Sequence, residues 1–157
     1  MKRKNTFSPE ETVAFGRCLG NLLKSGDVLF LVGDLGAGKT HLSKGIAQGL
    51  EICDAITSPT YTIMQVYQGR LTLYHFDLYR LNRVEELEDI GFEEFVYGKG
   101  VTLIEWADKF VEYLPKERLI IRIEYHTEVT EGRSIILESS GARYDVLLEE
   151  LEQICIF

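Results

Sequence analysis

One eight-residue segment constrains the fold of this chain more than any other feature. Residues 33–40 read GDLGAGKT and match the pattern GxxxxGK followed by Ser or Thr at every fixed position. An unbroken apolar run, VLFLV at 28–32, precedes the segment and predicts a strand that is buried on both faces. After the segment, Leu42, Ile46 and Leu50 recur at helical spacing. This order of strand, glycine-rich turn and helix predicts a phosphate-binding loop, or P-loop.

The chemistry of the loop follows from its residue types. Glycine lets backbone N–H groups turn inward around an anion, and the following helix adds the positive end of its dipole. We expect the Lys39 ammonium to reach the β and γ phosphates of a nucleotide and the Thr40 hydroxyl to hold magnesium. The predicted nucleotide contacts are Gly33, Asp34, Leu35, Gly36, Ala37, Gly38, Lys39 and Thr40, with His41 directly after them.

Two carboxylates follow apolar strand patterns and are candidates for the second acid that a P-loop site needs. LYHFD ends at Asp77, and TLIEW carries Glu105 after its apolar residues. Because the carboxyl ends of parallel strands face the ligand crevice of an open α/β sheet, either acid is placed to act on a metal or on water. The spacing alone does not choose between them, and each can also simply begin a surface loop.

The remaining pattern predicts one domain over residues 1–157, of the α/β class. A capping box at Ser8 starts a helix near 9–24. TIMQVYQ and LTLYHF indicate a β-hairpin, VTLIEW a second buried strand, and RLIIRIEY and RSIILES two further strands. Helical patterns near 84–90 and 142–153 complete the order. We expect a three-layer, P-loop NTPase-like domain with a mixed, partly antiparallel central sheet.

Charge and composition exclude several classes of protein. Lys and Arg number 17 against 25 Asp and Glu, and the net charge of −8 disfavours nucleic-acid binding by the chain itself. No apolar run is long enough to cross a membrane, and the start MKRKNTFSPEE lacks the apolar stretch of a signal peptide. We therefore expect a cytoplasmic location without a membrane partner. Cys18, Cys53 and Cys155 are widely spaced and are predicted to be buried free thiols.

A polar segment, TSPTYT at 57–62, follows the predicted P-loop helix. Hydroxyls that flank a proline occur in the loops with which P-loop switch proteins sense the γ phosphate. They also occur in ordinary Ser/Pro turns, and the spacing alone favours the ordinary turn.

Other polar residues after this segment have simpler explanations. His75 lies in an alternating aromatic strand and is predicted to be a packed residue outside the site. The acidic stretch 85–94 is typical of a solvated helix face, although its apolar residues could dock a partner. Arg80 and Arg83 are candidates for an arginine finger, a charge that a partner can equally supply.

Five segments in a fixed order, GDLGAGKT, SPTYT, YHFDLYR, EELEDIGFEE and LIEW, resemble the TsaE family. This family is the bacterial ATPase of the threonylcarbamoyladenosine tRNA modification pathway, and the shared motifs run from Gly33 to Trp106. The resemblance implies a small ATPase that binds ATP and Mg2+. It also implies that the chain works with the TsaD and TsaB subunits, so that tRNA is reached only through these partners.

The resemblance implies catalytic and metal-binding roles for four residues. Lys39 and Thr40 hold phosphate and metal, and Glu105 is the acid linked to magnesium. Asp77 is required for turnover, with Lys39 as the second catalytic residue. A glutamate at the magnesium-linked position departs from the usual aspartate of P-loop proteins.

Further nucleotide contacts are also implied by the resemblance. A switch-like loop brings Thr57, Ser58 and Thr60 to the nucleotide, and Trp106 belongs to the same site. His41 occupies a position where the family usually has Thr. Because His41 follows the phosphate-binding hydroxyl, we expect altered packing there and unchanged chemistry.

Other functions stay open on the residues alone. A small-molecule kinase of the P-loop class would use Asp77 as a base toward a substrate hydroxyl, but no arginine-bearing lid pattern follows Glu105. A GTP switch is disfavoured because the chain contains no NKxD segment. A nucleotide-stabilised assembly module that rarely hydrolyses ATP would carry the same motifs, and only measured hydrolysis separates it from a partner-activated ATPase.

Overall fold

The structure, a computed structural model, describes residues 1–34 and 36–155, so the predicted nucleotide contact Leu35 lies outside the described residues. The strands are β1 (Lys2–Thr6), β2 (Val28–Val32), β3 (Met64–Tyr67), β4 (Leu73–Asp77), β5 (Val101–Glu105), β6 (Arg118–Tyr125) and β7 (Arg133–Ser140). The helices are α1 (Pro9–Leu22), α2 (Lys39–Gly49), α3 (Val84–Asp89), α4 (Phe92–Val96) and α5 (Ala142–Ile154), with a 3-10 turn at Ala107–Phe110.

The strands form one mixed sheet in the order β1-β7-β6-β2-β5-β4-β3, which confirms the predicted mixed sheet. At its centre β2 runs parallel to both β5 and β6, and β4 runs parallel to β5. The outer strands β3, β7 and β1 pair antiparallel with their neighbours. Because β2, β4 and β5 share one direction, Asp77 and Glu105 reach the same edge of the sheet as the start of the P-loop.

Helices cover both faces of the sheet, which confirms the three-layer prediction. One face packs against α1, α2 and α5 around residues such as Leu19 and Leu42. The other face packs against α3, α4 and the 3-10 turn, with Leu87 and Phe92 in its core. The central strand β2 is apolar throughout and β5 is buried throughout, as expected for strands that are covered on both faces. In the part of the chain that the structure describes, no helix is long and apolar enough to cross a membrane.

Helix α2, which carries the last residues of the P-loop, lies in backbone contact with α1. A Cβ on Gly45 would be 2.1 Å from the Val13 carbonyl oxygen, and a Cβ on Gly49 would be 2.5 Å from the Arg17 carbonyl oxygen. Two glycines of α1 make the reciprocal close approach to α2. Because a Cβ would clash at these positions, the glycines allow α1 and α2 to approach each other in backbone contact.

We expect Gly45→Ala to lower the free energy of unfolding by about 1–3 kcal/mol, the usual range for an overpacked core. The added methyl group meets the Val13 carbonyl oxygen, and the separation of α1 and α2 outweighs the better helix propensity of alanine. Urea unfolding measures the change, with Gln48→Ala at an exposed position of α2 as the control. Equal stability of Gly45→Ala and the unsubstituted protein would contradict the close contact.

Three elements differ from the sequence prediction. Residues 2–6 form an edge strand, β1, which the polar sequence did not indicate. Helix α1 ends two residues early, because Asp27 Oδ2 accepts a hydrogen bond from the backbone N–H of Lys24 at 2.7 Å and the chain turns there. The acidic stretch forms two short helices, α3 and α4, and buries Leu87 and Phe92, so these side chains are core residues and not a docking surface.

The prediction that the cysteines are buried is wrong. Cys53 is exposed, and Cys18 and Cys155 are half-buried against the core between the sheet and α1. All three are free thiols, as predicted. Burial and the neighbouring thiol of Cys18 raise the pKa of Cys155 to about 12, so the Cys155 thiol stays protonated and unreactive at neutral pH.

Candidate functional site

The P-loop joins β2 to α2 through glycines with left-handed backbones. Gly36 has φ +80° and Gly38 has φ +101°, values at which other residues are strained. A Cβ on Gly33 would lie 2.7 Å from the Ile123 carbonyl oxygen, so the loop starts tight against β6. Helix α2 begins at Lys39, and the first N–H groups of a helix have no partners within it. The loop therefore offers backbone donors to an anion.

A cavity of about 630 Å3 lies beside this loop, at the carboxyl edge of the sheet. Its volume falls within the usual range of small-ligand sites, about 300–1,000 Å3. The residues that line it are Asp34, Gly36, Gly38, Lys39, Thr40, His41, Ser58, Thr60, Asp77, Tyr79, Glu105 and Trp106. All of these except Tyr79 are residues that the sequence predicts in the site, so the tertiary structure brings the separate motifs together.

Glu105 is the centre of a buried charge network at the cavity. Its Oε1 lies 3.6 Å from Lys39 Nζ, and its Oε2 accepts a hydrogen bond from His75 Nε2 at 2.7 Å. Burial raises the pKa of the Glu105 carboxyl, but the hydrogen bond and charge of His75, and then Lys39, outweigh it and lower the pKa. The carboxylate is therefore ionised at neutral pH. Its contribution to stability is lost as the pH falls through the lowered pKa.

Asp77 connects the sheet to the polar loop at 57–60. Thr60 Oγ1 donates to Asp77 Oδ2 at 3.0 Å, and the backbone N–H of Tyr79 donates to Asp77 Oδ1 at 2.9 Å. Since the Thr60 hydroxyl donates its hydrogen bond to the carboxylate, the Ser58 hydroxyl, 2.7 Å away, is the donor to Thr60 Oγ1. Asp77 is buried and pairs with Glu105 in the register of β4 and β5, so the two acids stand side by side.

Trp106 lines the cavity and has a left-handed backbone at φ +59°. Such a φ is rare for a bulky residue, and strained residues of this kind cluster at functional sites. The Lys39 ammonium is 5.2 Å from the centroid of the Trp106 ring. The centroids of the Tyr79 and Trp106 rings are 5.0 Å apart. The Lys39 ammonium therefore contacts both an aromatic ring and the Glu105 carboxylate.

Among the residues that the structure describes, three predicted nucleotide contacts do not line this cavity. Gly33 borders a neighbouring cavity of about 190 Å3, and Ala37 is buried beneath the loop. Thr57 is exposed, and its hydroxyl accepts a hydrogen bond from Gln65 Nε2 at 3.2 Å. In this arrangement Ser58 and Thr60 are the hydroxyls of the loop that face the cavity.

The two arginines proposed as fingers are exposed and lie outside the cavity lining. Arg80 Nη1 donates to the Tyr61 carbonyl oxygen at 3.2 Å, and its guanidinium is 5.9 Å from the centroid of the Tyr61 ring. The backbone N–H of Arg83 is bonded to Glu86 Oε1 at the start of α3. In this conformation neither guanidinium lines the cavity beside the P-loop.

His75 is a packed residue, as predicted, and does not line the cavity. The side chain is buried and bonded to Glu105, one of the residues that line the cavity. The sequence contained a usable indication, because residues two apart on a strand share a face and His75 stands two residues before Asp77. Both side chains therefore point to the face that α2 covers.

Arg133 is a residue of the site that sequence reasoning missed. Its Nε donates to the Ala37 carbonyl oxygen at 2.6 Å and its Nη2 to the Gly36 carbonyl oxygen at 3.4 Å, from the start of β7. The guanidinium also stacks 4.7 Å from the centroid of the Tyr125 ring. By bonding the carbonyl oxygens on the outside of the loop, Arg133 favours the conformation in which the N–H groups point inward. No local pattern in the sequence indicates this contact.

The predicted metal ligands Thr40 and Glu105 both line the cavity. Among the residues that the structure describes, no group of three or more His, Cys, Asp or Glu side chains is arranged to hold a metal ion. Mg2+ commonly takes one or two protein oxygens and completes its octahedral shell with phosphate and water. One hydroxyl and one carboxylate beside a phosphate loop therefore fit this ion.

The central parallel strands, the P-loop after β2 and the helices on both faces define a P-loop NTPase-like protein. The crystal structure of YdiB from Bacillus subtilis has the same fold, with a TM-score of 0.82 and 42% sequence identity over 98% of this chain and 95% of that chain. The family described as threonylcarbamoyl adenosine biosynthesis protein TsaE matches residues 6–135. The chain belongs to the TsaE family.

Curated relatives have the same family name over most of their length. A Bacillus subtilis protein named tRNA threonylcarbamoyladenosine biosynthesis protein TsaE is 46% identical over 149 residues, which cover 94% of this chain and 92% of the relative. A Treponema pallidum protein with the same name is 48% identical over 116 residues, 74% of this chain and 86% of the relative. Both similarities extend well beyond the P-loop.

Proposed function

We propose that this protein is a magnesium-dependent ATPase of tRNA threonylcarbamoyladenosine biosynthesis. Its ATP hydrolysis drives a conformational or turnover step of an assembly with TsaD and TsaB, and tRNA is held by those partners. The observation that carries the proposal is the cavity of about 630 Å3, where the P-loop, two strand-end acids and the loop at 57–60 meet. Family membership supports the pathway, and the net charge of −8 supports tRNA contact through partners.

The residues of the cavity divide the work of binding and turnover. Lys39 and the loop N–H groups bind the β and γ phosphates, and Thr40 and Glu105 hold Mg2+, which neutralises the phosphate charge when bound. Nucleotide entry gives the Lys39 ammonium a phosphate partner in place of Glu105, which is 3.6 Å away. Asp77, at the carboxyl edge of the sheet, is hydrogen-bonded to Thr60 of the loop at 57–60 and so acts in turnover.

A further cavity, of about 130 Å3, shares Gly38 and His41 with the larger one and supports a position for the nucleobase. Its lining includes Pro9, Thr12, His41 and Arg133. Lys39 and the acids mark the γ-phosphate end, so the α phosphate and the base lie toward the first turn of α2. His41 borders both cavities, which makes it a contact to the base side of the nucleotide.

Phosphate release from ATP, measured with the protein alone and with TsaD and TsaB added, tests the proposed function. A slow rate that rises on addition of both partners is the expected result. Transfer of phosphate to a small-molecule hydroxyl would instead identify a kinase. Tight ATP binding without hydrolysis in the complete assembly would identify a nucleotide-stabilised assembly module and overturn the proposal.

Glu105→Gln is expected to reduce the magnesium-dependent gain in ATP affinity at least about tenfold, because the neutral amide is a weak ligand for a hard cation. Calorimetric titration of ATP with Mg2+ and with EDTA measures this gain. Glu112→Gln, at an exposed acid outside the cavity lining, is the control. A nucleotide-bound structure that places the Glu105 carboxylate more than about 6 Å from the metal, beyond one bridging water, would contradict the role.

A further inference from the structure

We propose that His75 is a positioning residue that holds Glu105 with one carboxylate oxygen directed to the metal and phosphate side of the cavity. The inference rests on the proposed function, since it concerns how the magnesium-linked acid is oriented. His75 lies in the middle of β4, is 2% exposed, and is not in the cavity lining. It therefore acts on the nucleotide only through Glu105.

The strand geometry explains why this contact forms. In the parallel pairing of β4 and β5, His75 stands opposite Leu103, and Asp77 stands opposite Glu105. His75 and Glu105 are thus diagonal neighbours on the sheet face that α2 covers, where a long side chain can reach across. The Nε2 to Oε2 distance of 2.7 Å is that of a hydrogen bond to a charged group. A carboxylate only accepts, so His75 Nε2–H is the donor.

The hydrogen bond from His75 gives the two oxygens of the Glu105 carboxylate different partners. Oε2 is taken by His75, and Oε1 lies 3.6 Å from Lys39 Nζ, on the side of the cavity. A carboxylate held in this way binds a metal through one oxygen, with its rotation fixed. Carboxylates that bind metals are commonly oriented by such a second partner.

The environment of the other ring nitrogen, Nδ1, indicates that His75 does more than fill space in the core. His75 Nδ1 is buried and has no hydrogen-bond partner among the described residues. A buried polar atom without a partner is unfavourable, and an apolar side chain would fill the same place in β4 without this loss. The bond to Glu105 is the interaction of the imidazole that an apolar residue cannot replace. Histidine at this position is therefore explained by what it does to Glu105.

Loss of the donor has a defined consequence for nucleotide binding. Without His75, the Glu105 carboxylate is free to rotate, and Oε1 is no longer held on the side of Lys39 and the cavity. The metal then meets a carboxylate in several orientations. The effect appears in the magnesium-dependent part of nucleotide affinity and leaves the fold in place.

Three substitutions separate positioning from packing. In His75→Gln the side-chain amide extends to the place of Nε2 and can donate to Glu105. In His75→Asn the amide stops near the place of Nδ1 and cannot reach, and His75→Leu has no donor. The measurement is the ATP dissociation constant with Mg2+ and with EDTA, together with thermal unfolding of each variant without nucleotide.

We expect His75→Gln to keep the magnesium-dependent gain in affinity within about threefold, and His75→Asn and His75→Leu to lose about 10-fold to 100-fold of it. Affinity in EDTA is expected to change by less than about threefold in His75→Gln. If His75→Leu does not fold, the comparison of His75→Gln with His75→Asn still separates positioning of Glu105 from packing. An equal gain in the Asn and Gln variants overturns the inference alone. A wild-type protein without any magnesium-dependent gain overturns the proposed function, and the inference with it.

Discussion

Lys39→Ala is expected to lower ATP turnover at least about a hundredfold, the loss typical of removing one preorganised group that stabilises developing charge. Lys39 lines the cavity and begins α2, and in the proposed function its ammonium is the P-loop cation that binds the β and γ phosphates. Its ion-pair partner Glu105 is buried beside it and keeps its negative charge, which then also repels phosphate. Weaker ATP affinity is expected together with the slower turnover.

Lys44→Ala is the matched control for this substitution, because Lys44 is an exposed lysine of the same helix. It removes the same net charge from α2 without touching the cavity lining. Phosphate release and calorimetric ATP titration measure both variants, and thermal unfolding checks that Lys39→Ala is folded. If affinity and turnover of Lys39→Ala both stayed within twofold of the unsubstituted protein, the nucleotide site would be wrongly assigned.

Asp77→Asn is expected to lower hydrolysis in the presence of TsaD and TsaB at least about a hundredfold, with little change in ATP affinity. Both oxygens of the Asp77 carboxylate accept hydrogen bonds, one from Thr60 and one from the backbone of Tyr79. In the asparagine variant the atom that faces Thr60 can be a donor, so the hydroxyl must reverse and the link to Ser58 changes. The P-loop still binds the phosphates, which is why affinity is preserved.

Thr60→Val removes the same hydrogen bond from the side of the loop and is expected to slow hydrolysis in the same direction. Thr62→Val, at an exposed position of the same segment, is the control. Single-turnover measurements at saturating ATP separate the chemical step from nucleotide binding. An Asp77→Asn protein that binds ATP far more weakly and turns over normally at saturation would make Asp77 a binding residue. The division of roles between Asp77 and Glu105 would then be wrong.

The P-loop could be predicted from the sequence because its chemistry is local. The glycines that turn the backbone, Lys39 and Thr40 are contiguous, and the strand and helix on either side are visible as apolar patterns. The two acids could also be located, since a parallel strand delivers its last residue to a known edge of the sheet. The structure places Asp77 and Glu105 opposite each other in neighbouring strands, as this reasoning expects.

Contacts between distant segments were not predictable in this way. Arg133 holds the outside of the P-loop from a strand 96 residues beyond Ala37, and no spacing rule connects the two. The backbone contact between α1 and α2 depends on how two helices cross, which glycine content alone does not reveal. Residues 2–6 form a strand because β7 offers them an edge to pair with, and their own polar sequence gives no preference for it.

His75 illustrates which features the sequence pattern predicts and which depend on the tertiary structure. Alternation along β4 determined that His75 shares a face with Asp77, and the apolar pattern before Glu105 placed that residue at the end of a strand. Only the order of strands in the sheet made β4 and β5 neighbours and brought Nε2 to 2.7 Å from Oε2. The sequence by itself determined the loop, the strand ends and the class of fold, because these depend on neighbours in the chain. The tertiary structure decided the partners of Glu105, since a hydrogen bond requires a distance that periodicity does not contain.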